Sequence, residues 1–86
     1  MRIVAFHTLA FEQYNEWATS DKKMFERICR LITESAKTPF TGIGKPEPLK
    51  RNLKGFWSRR INEEHRLVYK VTDEQIIIAS CKFHYE

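Results

Sequence analysis

A segment rich in proline and glycine, residues 39–48, divides this 86-residue chain into two halves of different character. The segment holds all three prolines and two of the three glycines. Because these residues end helices and interrupt strands, it marks the main joint of the fold. Apolar residues recur at helical spacing before the joint and alternate as in strands after it. A chain of this length makes one small domain, so both halves must share one core.

The first half predicts a short strand followed by two helices. Residues 2–7 form a β-rich segment, and Thr8 is suited to cap a helix with Phe11 and Tyr14 on its inner face. A second helix begins near Lys22 and ends before Pro39. Its apolar stripe contains Phe25, Ile28, Cys29, Ile32 and Ala36.

The second half predicts three strands, residues 55–61, 65–72 and 75–85, joined by short polar connectors. Consecutive strands with such connectors form an antiparallel meander, and the first strand of the chain can return to the same sheet. The two helices then cover one face of the sheet and bury their apolar stripes. We therefore predict a single α+β domain over residues 1–86, an antiparallel sheet with two helices packed on one face, in the order βααβββ.

Composition excludes several classes of protein. The longest apolar runs, residues 76–79 among them, fall far short of the roughly 20 residues of a membrane span. The first residues lack the pattern of a secretory signal, which predicts a cytoplasmic protein. Cys29 and Cys81 lie in apolar-patterned segments, which predicts buried, reduced thiols. The three histidines lack metal-site spacing, so we expect no metal and no other cofactor.

The basic excess of the chain is concentrated after the joint. The formal net charge is +4. Residues 45–60 contain one acid, Glu47, and six cations: Lys45, Lys50, Arg51, Lys54, Arg59 and Arg60. A concentration of positive charge on this scale favours an anionic partner such as a nucleic acid.

Strand alternation brings polar side chains to one side of the last two predicted strands. Arg66 and Lys70 share one side of the first of these strands, and Ser80, Lys82 and His84 share one side of the second. Arg66 and His84 lie on the same face only if paired residue numbers sum to an even value, and an odd register separates them. The sequence leaves both registers open. The even register is favoured because it groups the apolar set Ile77, Ala79, Cys81 and Phe83.

Glu47, between Pro46 and Pro48, is the acid that would face these cations. Such a set suits cleavage of RNA without a metal: a base takes the 2′-hydroxyl proton, a cation stabilises the phosphorane, and an acid protonates the leaving 5′-oxygen. Glu47 and His84 are the candidates for base and acid. From the residues alone, the more usual interpretations are a solvated loop glutamate and a packed or exposed histidine.

Residues 45–71, KPEPLKRNLKGFWSRRINEEHRLVYKV, and the ending KFHYE resemble the YoeB family of bacterial toxins in the RelE and ParE superfamily. The similarity extends over residues 38–85. It implies a RelE-like fold and a ribosome-dependent endonuclease that enters the ribosomal A site, cuts the messenger RNA there and halts translation. It also implies a YefM-like antitoxin as partner and a homodimer.

The resemblance carries roles to individual residues. Glu47 matches the proposed general base, Arg66 the cation that stabilises the phosphate, and His84 the proposed general acid. Tyr85 matches a residue that aligns the substrate or stacks on it. Independently of the resemblance, His65 is interpreted as structural. The residues expected to hold substrate or ribosomal RNA are Lys50, Arg59, Arg60 and Lys82.

Two other functions remain open at this point. A ParE-like inhibitor of DNA gyrase would have the same fold, although such relatives typically lack this set of Glu, Arg and His-Tyr. A non-catalytic nucleic-acid-binding module would use the basic segment only for phosphate contacts, and its binding would fall with salt.

Overall fold

The computed structural model describes residues 1–83, in which two helices pack against a five-stranded sheet. In chain order the elements are β1 (Ile3–Phe6), α1 (Thr8–Ser20), α2 (Lys22–Lys37), β2 (Glu47–Pro48), β3 (Phe56–Arg60), β4 (Arg66–Val71) and β5 (Gln75–Ser80). One turn of 3-10 helix, Arg51–Leu53, precedes β3. His84 and Tyr85 lie outside the described residues. The last strand ends at Ser80, so its predicted continuation is wrong over residues 81–83, where side-chain and main-chain bonds to α1, His65 and Arg66 replace the ladder. In the part of the chain that the structure covers, no helix is long and apolar enough to cross a membrane.

The sheet has the strand order β1-β5-β4-β3-β2. The pairs β2–β3, β3–β4 and β4–β5 are antiparallel, and the last two of these pairs form the predicted meander. The expectation of a wholly antiparallel sheet is wrong at one edge, because β1 pairs with β5 in parallel. Short turns force an antiparallel pairing only between consecutive strands, and β1 reaches the sheet through a long helical connection. The α+β class and the placement of the helices are confirmed.

Strand β2 was not predicted. It is only two residues long and pairs Glu47 with Ser58 and Pro48 with Trp57. Proline has no N–H to donate to a strand ladder, and it is tolerated at Pro48 because β2 is an edge strand. This short pairing fixes Glu47 to the sheet.

A single aspartate separates the two helices. Asp21 precedes α2, and its Oδ1 accepts the main-chain N–H of Met24 at 3.2 Å, which caps the helix. His7, rather than the predicted Thr8, is the cap residue of α1, and it makes no side-chain capping bond. The buried face of α2 consists of Ile28, Leu31, Ile32, Ser35 and Ala36. The predicted stripe is thus correct at its centre and shifted towards Leu31 and Ser35.

The register of β4 and β5 changes part of the way along the pair. Val68 pairs with Ser80, the predicted even register, whereas Tyr69 pairs with Ile78 in the odd register. The irregularity leaves Ala79 as an extra residue, which shifts the side chains before it by one position. Ile76 and Ile78 therefore enter the core, and the predicted core positions Ile77 and Ala79 do not.

Arg59 of β3 is fully buried, with 0% of its surface exposed. Its guanidinium serves the segment between α2 and β2, donating to the carbonyl oxygens of Thr38, Thr41 and Ile43 at 2.6, 2.9 and 2.9 Å. Its Nε donates to the hydroxyl of Tyr69 at 3.0 Å, and that hydroxyl donates to the carbonyl oxygen of Pro39 at 2.7 Å. This cluster, called the Arg59 hub below, ties the proline- and glycine-rich segment to the sheet.

The segment also lies directly against the backbone of β3. The Arg60 N–H donates to the Gly44 carbonyl oxygen at 2.6 Å. Gly44 has a φ of +80°, and a Cβ there would lie 2.8 Å from Leu31 Cδ2 and 3.2 Å from the Arg60 carbonyl oxygen. Only glycine fits this close, left-handed turn.

Both cysteines are free thiols, as predicted. Cys81 is fully buried, and Cys29 is half-buried, with its Sγ 3.4 Å from the Tyr14 hydroxyl. Burial, with a smaller contribution from Glu16, raises the pKa of the Cys81 thiol to about 12.

We expect replacement of Arg59 by lysine to lower the free energy of unfolding by about 2–4 kcal/mol. A lysine keeps the charge but cannot serve three carbonyls and a hydroxyl from one rigid fork, and each buried acceptor left unpaired costs about 1–3 kcal/mol. Urea denaturation of Arg59→Lys and of the exposed neighbour Arg60→Lys provides the measurement and its control. Equal unfolding midpoints for the two variants would show that the Arg59 hub does not contribute to stability in this way.

The buried Cys81 thiol predicts a loss of stability at alkaline pH. The unfolded chain releases this proton at about pH 8.5, while the folded protein retains it to about pH 12, so the free energy of unfolding falls between these values. The slope from this group is about 1.4 kcal/mol per pH unit. Urea unfolding in reductant at pH 8 to 10.5 should show a shallower decline for Cys81→Ala, and parallel declines would refute the assignment.

Candidate active site

The sheet face away from the helices carries the polar residues of the site. Tyr69, Ile76 and Ile78 point to the helices and belong to the core. By strand alternation the neighbouring positions face the other way. The register aligns Glu47, Ser58, Val68 and Ser80 in one row across four strands, with Arg60 and Arg66 in the next row. Val68 and Ser80 are buried, so the accessible part of this surface consists of Glu47, Ser58, Arg60 and Arg66. We call this accessible part the open face.

Glu47 is exposed on the outermost strand of the open face. Its position depends on the turn that follows, where the Leu49 N–H donates to the Phe56 carbonyl oxygen at 2.8 Å. The flanking prolines restrict the backbone on both sides, so the glutamate is presented on a short rigid strand instead of a mobile loop.

Arg66 is held at the turn between β3 and β4. Its Nη1 donates to the carbonyl oxygens of Asn62, Glu63 and His65 at 2.6, 3.1 and 3.1 Å. The turn is itself fixed, because Asn62 Oδ1 accepts the main-chain N–H groups of Glu64 and His65 at 2.9 and 2.7 Å. All the bonds of this guanidinium to residues 1–83 come from Nη1. The Nε and Nη2 groups leave donors for a phosphate.

Strand β3 separates the acid from this cation. Neighbouring strands lie about 4.8 Å apart, so the backbones of β2 and β4 are separated by about 10 Å. Ser58 and Arg60 of β3 fill the space between them on the open face. A nucleotide that contacts both Glu47 and Arg66 would therefore lie over Ser58 and Arg60.

Two further cations lie near this pair. Arg60 is exposed and pairs directly with Arg66 across the β3–β4 ladder. Lys50 is exposed two residues after β2, at the start of the 3-10 turn. Glu47 thus lies on a surface of net positive charge, which favours a phosphate backbone.

Two residues expected to hold RNA lie elsewhere. Arg59 points from β3 to the opposite side of the sheet, where the hub consumes its donors, and it has no exposed surface for RNA. Consecutive strand residues face opposite sides, so Arg59 and Arg60 could not both lie on the open face. Lys82 is beyond the end of β5, with its Nζ 3.9 Å from Glu16 Oε1 and 5.6 Å from the centre of the Trp17 ring. Its ammonium group therefore lies against α1.

The proposed acid His84, and Tyr85, lie outside the described residues, but the preceding residue is held beside Arg66. The Arg66 N–H donates to the Phe83 carbonyl oxygen at 2.8 Å. The Phe83 N–H donates to His65 Nδ1, also at 2.8 Å. His65 is expected to be structural from its sequence, but this contact is not predictable there, because no local pattern indicates which atom a buried histidine ring meets.

Comparison with known proteins identifies the family of this protein over almost the whole chain. Residues 6–85 match the family described as the YoeB-like toxin of bacterial type II toxin-antitoxin system. Toxin YoeB of Escherichia coli (strain K12) is 55% identical over 76 residues, which cover 88% of this chain and 90% of that protein.

Solved structures from Staphylococcus aureus extend the similarity to three dimensions. The YoeB dimer is 50% identical, with a TM-score of 0.90 over 98% of both chains. YoeB in the heterotetrameric YoeB-YefM complex is 50% identical, with a TM-score of 0.89 over 99% of both chains. The RelE-like fold and the resemblance found in the sequence are confirmed. The chain therefore belongs to the YoeB family, the toxins of bacterial type II toxin-antitoxin systems.

Proposed function

We propose that this toxin is a ribosome-dependent endoribonuclease, which enters the A site of a translating ribosome in the bacterial cytoplasm, cuts the messenger RNA there and halts translation. The observation that carries the proposal is that Glu47 and Arg66 lie on one open face, on the two sides of β3, among cations. This places a proton acceptor and a phosphate-binding group on one accessible surface.

In the proposed reaction Glu47 is the general base. Its carboxylate takes the proton of a ribose 2′-hydroxyl, and the freed oxygen attacks the adjacent phosphorus. The new 2′-O–P bond forms as the P–O5′ bond breaks, which leaves a 2′,3′-cyclic phosphate and a 5′-hydroxyl. The exposure of Glu47 at the sheet edge supports this role, since an RNA strand can reach it without any rearrangement of the fold.

Arg66 stabilises the charge that develops on the phosphorane. Its guanidinium is fixed by three carbonyls before substrate arrives, so little reorganisation is needed in the transition state. His84 donates a proton to the leaving 5′-oxygen, and Tyr85 aligns or stacks on the substrate. General acid–base catalysis by these side chains requires no metal.

Lys50 and Arg60 hold the phosphate backbone of messenger or ribosomal RNA. Both are exposed on the edge of the open face, and neither is part of the buried hub. Arg59 is left out of this binding set because its guanidinium is fully buried, and Lys82 because its ammonium group lies beside Glu16 at the surface of α1.

We extend the assemblies solved for the Staphylococcus aureus relative, the dimer and the complex with YefM, to this chain. A YefM-like antitoxin with an acidic segment would be attracted to the basic open face and would block it. A homodimer would cover apolar side chains that are exposed in the single chain, among them Ile3 at 65%, Leu9 at 56% and Phe11 at 52%.

The catalytic roles predict loss of cleavage without loss of ribosome binding. Glu47→Gln and His84→Gln should each lower the rate of messenger cleavage about 100-fold or more, because each removes one proton transfer. Primer extension on a translated messenger, with and without ribosomes, measures cleavage, and cosedimentation measures ribosome binding. Glu26→Gln, on the exposed side of α2, is the matched control and should cut like the unaltered protein.

Each alternative function gives a different result in the same experiment. A variant that cuts at the normal rate would remove that residue from the mechanism. Intact messenger together with DNA breaks would replace the proposal by gyrase inhibition. Ribosome or RNA binding with no cleavage by the unaltered protein would replace it by a non-catalytic binding module.

The proposed backbone contacts predict weaker ribosome binding with a smaller salt dependence. Lys50→Gln and Arg60→Gln should each reduce the slope of log affinity against log salt by about 0.7–0.9, the contribution of one phosphate contact. Arg30→Gln on the exposed side of α2 is the charge-matched control and should leave the slope unchanged. Equal slopes in all three variants would show that Lys50 and Arg60 do not touch RNA.

A further inference from the structure

The chain is tied down at two points after β5 ends at Ser80. Cys81 is held by α1, where its N–H donates to Gln13 Oε1 at 2.7 Å and its carbonyl oxygen accepts from Trp17 Nε1 at 2.9 Å. Phe83 is held by the start of β4, through His65 Nδ1 and the Arg66 N–H, both at 2.8 Å. Both main-chain polar groups of Phe83 are therefore paired, one with the His65 side chain and one with the Arg66 main chain at the start of β4.

These bonds fix the backbone of Phe83 and do not serve to bury its ring. The side chain of Phe83 is 57% exposed, and its φ of 62° is in the left-handed region that non-glycine residues rarely adopt. A strained conformation persists only where its surroundings impose it. Here the surroundings are the His65 ring and the Arg66 main chain.

The His65 ring is itself held rigidly. It is only 7% exposed, and it packs edge-on against Trp17 with the ring centres 5.0 Å apart. Its Nδ1 accepts the Phe83 N–H, so the proton of the neutral ring is on Nε2, which lies 3.5 Å from Glu64 Oε1. The carboxylate thus favours the tautomer that leaves Nδ1 free to accept.

We propose that His65 is a positioning residue for the C-terminal pair His84 and Tyr85. By accepting the Phe83 N–H it fixes the direction in which the chain leaves Phe83, one residue before the proposed general acid and beside the main chain of Arg66. The inference rests on the proposed nuclease function, because it assigns His65 a part in that reaction. His65 acts through Phe83 and does not touch the substrate.

Two amide substitutions separate this role from packing. The Oδ1 of an asparagine occupies nearly the place of His65 Nδ1, whereas the amide of a glutamine lies near the place of Nε2. Both remove the ring and its contact with Trp17. His65→Asn should therefore keep the bond to Phe83 and His65→Gln should lose it, at a similar cost in packing. His7→Leu, which removes an exposed histidine with no side-chain capping bond, is the background control beside His65→Leu.

The first measurement is single-turnover cleavage on programmed ribosomes at saturating toxin, with ribosome affinity and thermal unfolding measured in parallel. His65→Gln and His65→Leu should cut about 100-fold more slowly, the order of loss for a misplaced catalytic group. His65→Asn should remain within about 10-fold of the unaltered protein and His7→Leu should match it, with ribosome affinity preserved in all four. Equal losses in His65→Asn and His65→Gln would overturn the proposal, since only the ring would then matter.

A second measurement does not depend on activity. Amide hydrogen exchange of Phe83 by NMR, in a Glu47→Gln background that prevents cleavage, should show protection with His65 and with His65→Asn, and fast exchange with His65→Gln. If the unaltered protein cuts no messenger, the proposed function fails by itself, and this exchange pattern still decides whether His65 anchors the chain. Fast exchange in the background protein, or normal cleavage by a His65→Gln variant whose Phe83 amide exchanges fast, would overturn the inference.

Discussion

The site depends on the hydrogen bonds that the buried guanidinium of Arg59 donates. A charged group without exposed surface must be paired or hydrogen-bonded throughout, because burial of a bare charge is very costly. Here four oxygen atoms meet it, three of them main-chain carbonyls between α2 and β2. The segment between α2 and β2, which has little regular structure of its own, is thereby fixed in place on the sheet. That place determines where β2 begins, and so where Glu47 lies.

The two adjacent arginines of β3 have different roles because consecutive residues of a strand point to opposite faces of the sheet. Arg59 points towards the helices and organises the inside of the protein, while Arg60 points to the open face and contributes charge to the surface. A substitution at the first changes the folding of the segment that carries Glu47, and one at the second changes only the field around it. Loss of activity on substitution of Arg59 would therefore reflect misfolding of this segment, whereas loss on substitution of Arg60 would reflect a changed surface charge. Stability measurements distinguish the two causes.

The proposed site is assembled from three separate parts of the chain. Glu47 comes from an edge strand, Arg66 from the start of β4, and the C-terminal pair follows a backbone anchored by His65. The arrangement is an accessible sheet face. It is compatible with the proposed nuclease, which would act on a message already held in place by the ribosome, because positioning of the reacting groups contributes much of a rate enhancement. The same openness leaves the face accessible to an antitoxin.

Much of this protein follows from its sequence alone. Helical and alternating periodicity determined the two helices, the β3 to β5 meander and the α+β class, since these patterns reflect which side of each element must be buried. The motifs around Glu47 and Arg66 determined the family. Tertiary structure alone decided the parallel pairing of β1, the two-residue strand β2, the extra residue at Ala79 and the inward direction of Arg59. It also decided that Lys82 meets α1 and that His65 meets Phe83. The physical reason is common to all six: each depends on contacts between residues far apart in the chain, about which local periodicity carries no information.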